Sequence, residues 1–238
     1  MSDPRDYLCL ALDTEDADQA RRMSEILGES ILWHKVGSAL AVQGGEALIR
    51  DLKAGGKKVF LDYKFHDIDQ TVANAVSGAV RLGVDLLTVH AVAPVVRAAS
   101  TTKGNSDTKV VAVTVLTSMD ESDLKAEGWK DGAPALVCSR AQTAINEGAD
   151  GVVASAQEAK MLRDILPPST FIVTPGIRPA GGDAQDQKRI STPASAIRDG
   201  SNLLVVGRPI LQAKDPKGAA NAILEEIASS LNQKFNKF

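Results

Sequence analysis

The chain has 238 residues, 44% hydrophobic, 24% charged and 4% aromatic, with a formal net charge of −3. That balance excludes a disordered chain and a basic nucleic-acid binder, and the scarcity of aromatics excludes a base-stacking platform. Cys9 and Cys138 are too few for a disulfide framework. No apolar run reaches a membrane-spanning length, and residues 1–7 carry no signal-peptide core, so a cytoplasmic protein with no membrane partner is expected.

Short β-branched runs alternate along the chain with segments of helical spacing. The first run, 7–13, is followed by a helix at 17–27, and the second, 31–37, by one at 44–54. The third, 58–64, precedes a helix at 70–82, and the fourth, 86–91, a shorter one at 94–99. Runs at 110–117, 151–155, 171–176 and 202–208 are followed by helical segments at 133–147, 156–165, 193–198 and 216–231. Each run is short and rich in Val, Ile or Leu, as a strand buried on both faces should be. Gly28, Gly55-Gly56, Gly83, Gly148 and Gly200 stand where the helices should stop.

Eight strands, each followed by a helix, predict a single (β/α)₈ barrel domain over 1–238. The rival, a doubly wound open sheet, calls for a glycine-rich first turn, and here that turn reads Asp13-Thr14-Glu15-Asp16. Two connections, 118–132 and 177–192, are long enough to act as lids.

In a barrel the chemistry sits where strands end. Asp13, Lys35, Asp62, Lys64, His90, Thr117, Ser118, Arg178 and Arg208 all lie at such ends. The densest signal is Asp62-x-Lys64-x-x-Asp67. Alternation along a strand turns Asp62 and Lys64 into the barrel mouth together, while Asp67 lies past the strand and can aim elsewhere. An ammonium held beside carboxylates stays protonated, which suits a proton donor to a nascent carbanion better than a Schiff-base nucleophile. The plainer reading is an ion-pair network that only closes the rim.

Pro175-Gly176-Ile177-Arg178 and Val206-Gly207-Arg208-Pro209 follow the last two strands, where barrels often hold a phosphate on backbone amides and a helix N-terminus. Their arginines offer forked donors to phosphate oxygens, the alternative being two solvated surface arginines. Three histidines without metal-ligand spacing suggest no metal site: His34 should point away from the mouth, and His90 reads as a hydrogen-bonded rim residue. Trp33 and Trp129 read as packing residues, and the two cysteines as buried free thiols.

The run Leu61-Asp62-Tyr63-Lys64-Phe65-His66-Asp67-Ile68 resembles the DxKxxDI signature of the orotidine 5′-phosphate decarboxylase family. The likeness extends in order through Ala11-Leu12-Asp13, Lys35-Val36-Gly37, residues 113–118, 174–178, Asp186-Gln187-Lys188-Arg189 and 206–209, the later segments in the bacterial form. The resemblance implies loss of CO₂ from orotidine 5′-monophosphate to give UMP, the last step of pyrimidine nucleotide synthesis, with no metal or organic cofactor. It implies Lys64 as proton donor to C6 of the pyrimidine, Asp62 against the substrate carboxylate, and Lys35 and Asp13 on the ribose hydroxyls. It further implies a homodimer with shared sites, in which Asp67, Ile68 and Thr71 reach into the partner's site. Thr117, or neighbouring Ser118, would contact the base, and Arg178, Gln187, Gly207 and Arg208 would bind the 5′-phosphate under a closing loop. The chain departs from the family pattern at Asp69, where proline is common, and at Ala180, where some members carry a phosphate-binding glutamine.

Phosphosugar-processing relatives share the DxKxxD core but typically carry an acidic residue at the position of Lys35 to hold Mg²⁺. A non-catalytic barrel binding a phosphate ligand would keep Arg208 without needing the Asp62–Lys64 pair.

Overall fold

The structure, a computed structural model, describes residues 2–179 and 191–235. A 3₁₀ turn at Pro4–Tyr7 leads into β1 (Leu8–Ala11) and α1 (Ala17–Leu27). Then come β2 (Trp33–Gly37), α2 (Ser38–Ala41), α3 (Gly45–Ala54), β3 (Lys58–Phe65), α4 (Asp69–Arg81), β4 (Leu86–His90) and α5 (Ala93–Lys103). The second half runs β5 (Lys109–Val113), α6 (Glu121–Ala126), α7 (Gly132–Asn146), β6 (Gly151–Val153), α8 (Ala156–Ile165) and β7 (Phe171–Thr174), then α9 (Pro193–Arg198), β8 (Leu203–Val206), α10 (Arg208–Leu211) and α11 (Pro216–Phe235). The strands pair in parallel in sequence order and β8 pairs back onto β1, closing the expected eight-stranded barrel.

Two apolar clusters follow from the two faces of each strand. The larger lies between strands and helices and includes Leu10, Val36, Leu61, Leu87 and Val206. The smaller fills the barrel interior with Cys9, Trp33, Phe60, Leu86, Val111, Val173 and Leu203. Trp33 and Phe60 plug the lower interior, and two residues further along their strands stand Lys35 and Asp62. The barrel therefore changes from apolar to charged within one inward-facing step.

One bracing arrangement recurs below the strands. Asp85, just before β4, accepts the Val59 amide at 2.7 Å and the Lys53 ammonium at 2.7 Å. Asp150, just before β6, accepts the Val110 amide at 2.7 Å, with Lys103 at 3.1 Å. Asn202, just before β8, accepts the Ile172 amide and an Arg163 N–H. Gly83 and Gly148, at φ 71° and 90°, make the turns that deliver the two aspartates, a conformation that suits glycine best.

Several strands are shorter than the sequence predicts. The fifth strand stops at Val113, and just past it the Thr114 amide still donates to the Val153 carbonyl at 3.2 Å, joined there by the Thr114 hydroxyl at 2.9 Å. The sixth stops at Val153, and Ser155 with Glu158 forms a capping box that starts α8. The eighth stops at Val206, and Arg208 opens α10. The loop 118–132 contains α6, started by an Asp120–Asp123 capping box. The helix expected at 94–99 runs on to Lys103 before Gly104 ends it.

Two packing expectations need correction. Trp129 is exposed, with the Arg140 guanidinium 5.3 Å from its ring centre, and Cys138 is only partly buried, against Met161. His34 points away from the mouth as expected, fully buried, with Ser24 Oγ 3.1 Å from Nε2.

Candidate active site

A cavity of about 630 Å³ opens where the strands end, a volume suited to a small ligand. Its floor is apolar, made by Ala11, Phe60, Val113, Val153, Val173 and Val205. Asp13, Lys35, Asp62 and Lys64 form one part of its wall, Asp13 from just past β1 and the others from β2 and β3. Gly176 and Arg178 follow β7, and Gly207 and Arg208 follow β8, Arg208 as the first residue of α10. Since β7 lies four strands from β3 in the closed ring, Arg178 and Lys64 rise from opposite staves of the barrel.

The charged wall is a chain of alternating sign. Lys35 Nζ is 3.0 Å from Asp13 Oδ1 and 3.4 Å from Asp62 Oδ2, and Lys64 Nζ is 2.9 Å from the same Asp62 oxygen. Gly37 leaves the space this needs: a Cβ there would come within 3.2 Å of Lys35 Nζ. Burial opposes both inner charges. It pulls the Lys35 ammonium down, but Asp62 and Asp13 outweigh it and the net pKa is raised. Burial likewise pushes the Asp62 carboxyl up, but Lys35, Lys64 and hydrogen bonds from Lys64 and Thr88 hold it below the ordinary range.

Lys64 reaches this position by a less regular route than alternation. Leu61 pairs with Leu87 and Phe65 with Val89, so β3 bulges between them. Among the described residues Lys64 is the one non-glycine with positive φ, at 50°. Thr88, fully buried on β4, lies opposite the bulge. Its Oγ1 accepts the Lys64 backbone N–H at 2.9 Å and donates to Asp62 Oδ1 at 3.0 Å. Sequence reasoning missed Thr88, although a lone polar residue two places before His90 in an apolar strand was a usable signal. It also missed Ser38 and Gln212, which line the cavity.

Arg178 is not the solvated arginine of the alternative reading. It is 7% exposed and donates from Nη1 to the Ile177 carbonyl at 2.9 Å. The base of its loop is pinned by a parallel bridge between Ile177 and Ser191. Gln187 and Ala180 lie outside the described residues.

Thr117 lines the cavity, whereas neighbouring Ser118 is exposed and does not. Asp67, Ile68 and Thr71 are not brought to the cavity of their own chain. All three are exposed at the start of α4, with Ile68 71% accessible and the Asp67 carboxylate accepting the Ile68 amide. His90 is half-buried with its ring centre 5.0 Å from that of His66, and burial, His66, Lys64 and Arg140 together lower its pKa.

Among the described residues no cluster of three or more His, Cys, Asp or Glu side chains could hold a metal ion, and no helix is long and apolar enough to cross a membrane.

The model of the orotidine 5′-phosphate decarboxylase / HUMPS family matches residues 6–223. The chain is 49% identical over 227 residues to the orotidine 5′-phosphate decarboxylase of Afipia carboxidovorans, covering 95% of this chain and 97% of that one. It is 50% identical over 226 residues to the enzyme of that name from Rhodopseudomonas palustris strain BisB5, covering 95% and 96%. Among solved structures, the orotidine 5′-phosphate decarboxylase of Lactobacillus acidophilus superposes with a TM-score of 0.82 at 36% identity, over 93% of this chain and 98% of that one.

Proposed function

Because the chain belongs to the orotidine 5′-phosphate decarboxylase / HUMPS family, we propose that it converts orotidine 5′-monophosphate to UMP and CO₂, in pyrimidine nucleotide synthesis. The observation that carries this reading is the Lys64–Asp62 contact of 2.9 Å in a cavity that also holds two arginines. The C6–carboxylate bond breaks and its electron pair stays on C6. The Lys64 ammonium stabilises that carbanion and then donates its proton to C6. Asp62 holds the ammonium in place. Lys35 and Asp13 bind the ribose hydroxyls, and Thr117 contacts the base. Arg178 and Arg208, with the Gly207 backbone, bind the 5′-phosphate, and Gln187 joins them. Phosphate binding remote from C6 then helps drive loop closure and contributes to catalysis.

The reaction runs without a metal or organic cofactor. The family's name spans more than one activity, and Lys35 favours this one. Its ammonium lies between Asp13 and Asp62, the two carboxylates that a divalent cation in this wall would need.

The active form is a homodimer in which Asp67, Ile68 and Thr71 complete the partner's site. Their exposure beside, but outside, the cavity supports this. So does a run of exposed apolar side chains on successive loops: Ile68 after β3, Val92 after β4, Leu116 and Trp129 after β5.

The test is an absorbance assay of orotidine 5′-monophosphate consumption with and without chelator. Turnover in both supports the proposal. No turnover rejects the substrate, and turnover abolished by chelator and restored by Mg²⁺ rejects the metal-free reaction.

A further inference from the structure

We infer that Thr88 is a positioning residue for the reaction, its hydroxyl holding both the backbone of Lys64 and the carboxylate of Asp62 in the arrangement that presents the ammonium to the substrate. The inference rests on the reading of the site proposed above.

The need for such a residue comes from the bulge in β3. Between the pairs Leu61–Leu87 and Phe65–Val89 the chain advances four residues on β3 but two on β4. The regular ladder cannot serve the residues in between, and the Lys64 amide would be left without a strand carbonyl. Thr88 is the residue of β4 that faces this gap, and its Oγ1 takes the amide at 2.9 Å. Lys64 also sits at φ 50°, a conformation that a side-chain-bearing residue keeps only when its surroundings over-determine it.

The same hydroxyl has one proton to give. An ionised carboxylate can only accept, so that proton goes to Asp62 Oδ1, 3.0 Å away. The other Asp62 oxygen takes Lys64 Nζ at 2.9 Å. Thr88, Asp62 and Lys64 thus close a ring of contacts: one threonine fixes the backbone of the proton donor and the carboxylate that holds its side chain. Thr88 is fully buried and does not line the cavity, so it acts through these two residues rather than on the substrate.

Packing and positioning make opposite predictions for two substitutions. Thr88→Val keeps the shape and removes the hydroxyl, and Thr88→Ser keeps the hydroxyl and removes a methyl. Positioning predicts that Thr88→Val lowers kcat roughly 100-fold, while the Kd for UMP changes less than about threefold. Thr88→Ser should keep kcat within about threefold of the parent. A valine variant with near-parental kcat, or a serine variant as impaired as the valine one, overturns the inference. If Thr88→Val does not fold, Thr88→Ala against Thr88→Ser makes the same comparison, because the two differ by the hydroxyl alone. If the unmodified protein does not consume orotidine 5′-monophosphate, the substrate reading fails and the crystal structure of Thr88→Val decides this inference separately. Lys64 leaving the left-handed region supports it, and an unchanged Lys64 backbone refutes it.

Discussion

Lys35 and Asp62 face each other at 3.4 Å inside the barrel, their side chains 10% and 12% accessible, on strands whose preceding inward residues are Trp33 and Phe60. Two charges in that position are tolerable only together. Asp62→Ala should destabilise the fold by about 3 kcal/mol, near the low end for a broken buried pair because Asp13 still holds Lys35. It should also abolish measurable turnover. Urea unfolding beside the absorbance assay checks both, and a variant as stable as the parent would show that the pair is not a buried one.

The two arginines should separate binding from stability. Arg208→Ala should raise KM for orotidine 5′-monophosphate by about 10- to 100-fold, the loss expected for charge-assisted bonds to phosphate, with a smaller fall in Tm than the more buried Arg178 would give. Arg178 is buried and bonded to the Ile177 carbonyl, so Arg178→Ala should raise KM and lower Tm as well. Equal Tm for the two variants would contradict their different burial.

Lys64→Ala should be inactive yet still bind UMP, because the phosphate side of the cavity is untouched. Asp67→Ala should also be inactive. Mixed under conditions that allow subunit exchange, the two should regain some activity, since one site of each mixed dimer would be intact. Verified heterodimers with no rescue would show that Asp67 does not act across the interface.

His34 predicts an acid sensitivity unrelated to catalysis. Burial, and after it the nearby Lys57 charge, lower its pKa from 6.5 to about 4. The folded state therefore keeps the ring neutral where the unfolded state takes up a proton. Stability should be unaffected above the unfolded value, fall as pH drops below 6.5, and level off below about 4. The full loss corresponds to about 3 kcal/mol. Unfolding curves for the parent and His34→Gln across this range test it: the variant should start less stable at neutral pH and show a shallower slope.

The barrel was legible because its signals are local. Val- and Ile-rich runs, helical spacing and glycines at helix ends each act within a few residues, and the strand-end positions of Asp13, Lys35, Asp62, Lys64, Arg178 and Arg208 follow from counting along single strands. Strand ends were less legible. Ser155 caps α8 and Gly207 precedes α10, yet both sit in apolar runs that read as continued strand in the sequence.

Composition, periodicity and motif spacing were enough to determine a closed βα barrel with opposed charges at one rim. Only the tertiary structure showed that Lys64 turns inward through a bulge rather than by simple alternation, and that Thr88, from the next strand, holds it there. It also separated Thr117 from Ser118 and buried Arg178. The physical reason is common to all of these. Where a side chain points after a regular element breaks, and what removes it from water, depends on residues far away in the sequence, which no local pattern encodes.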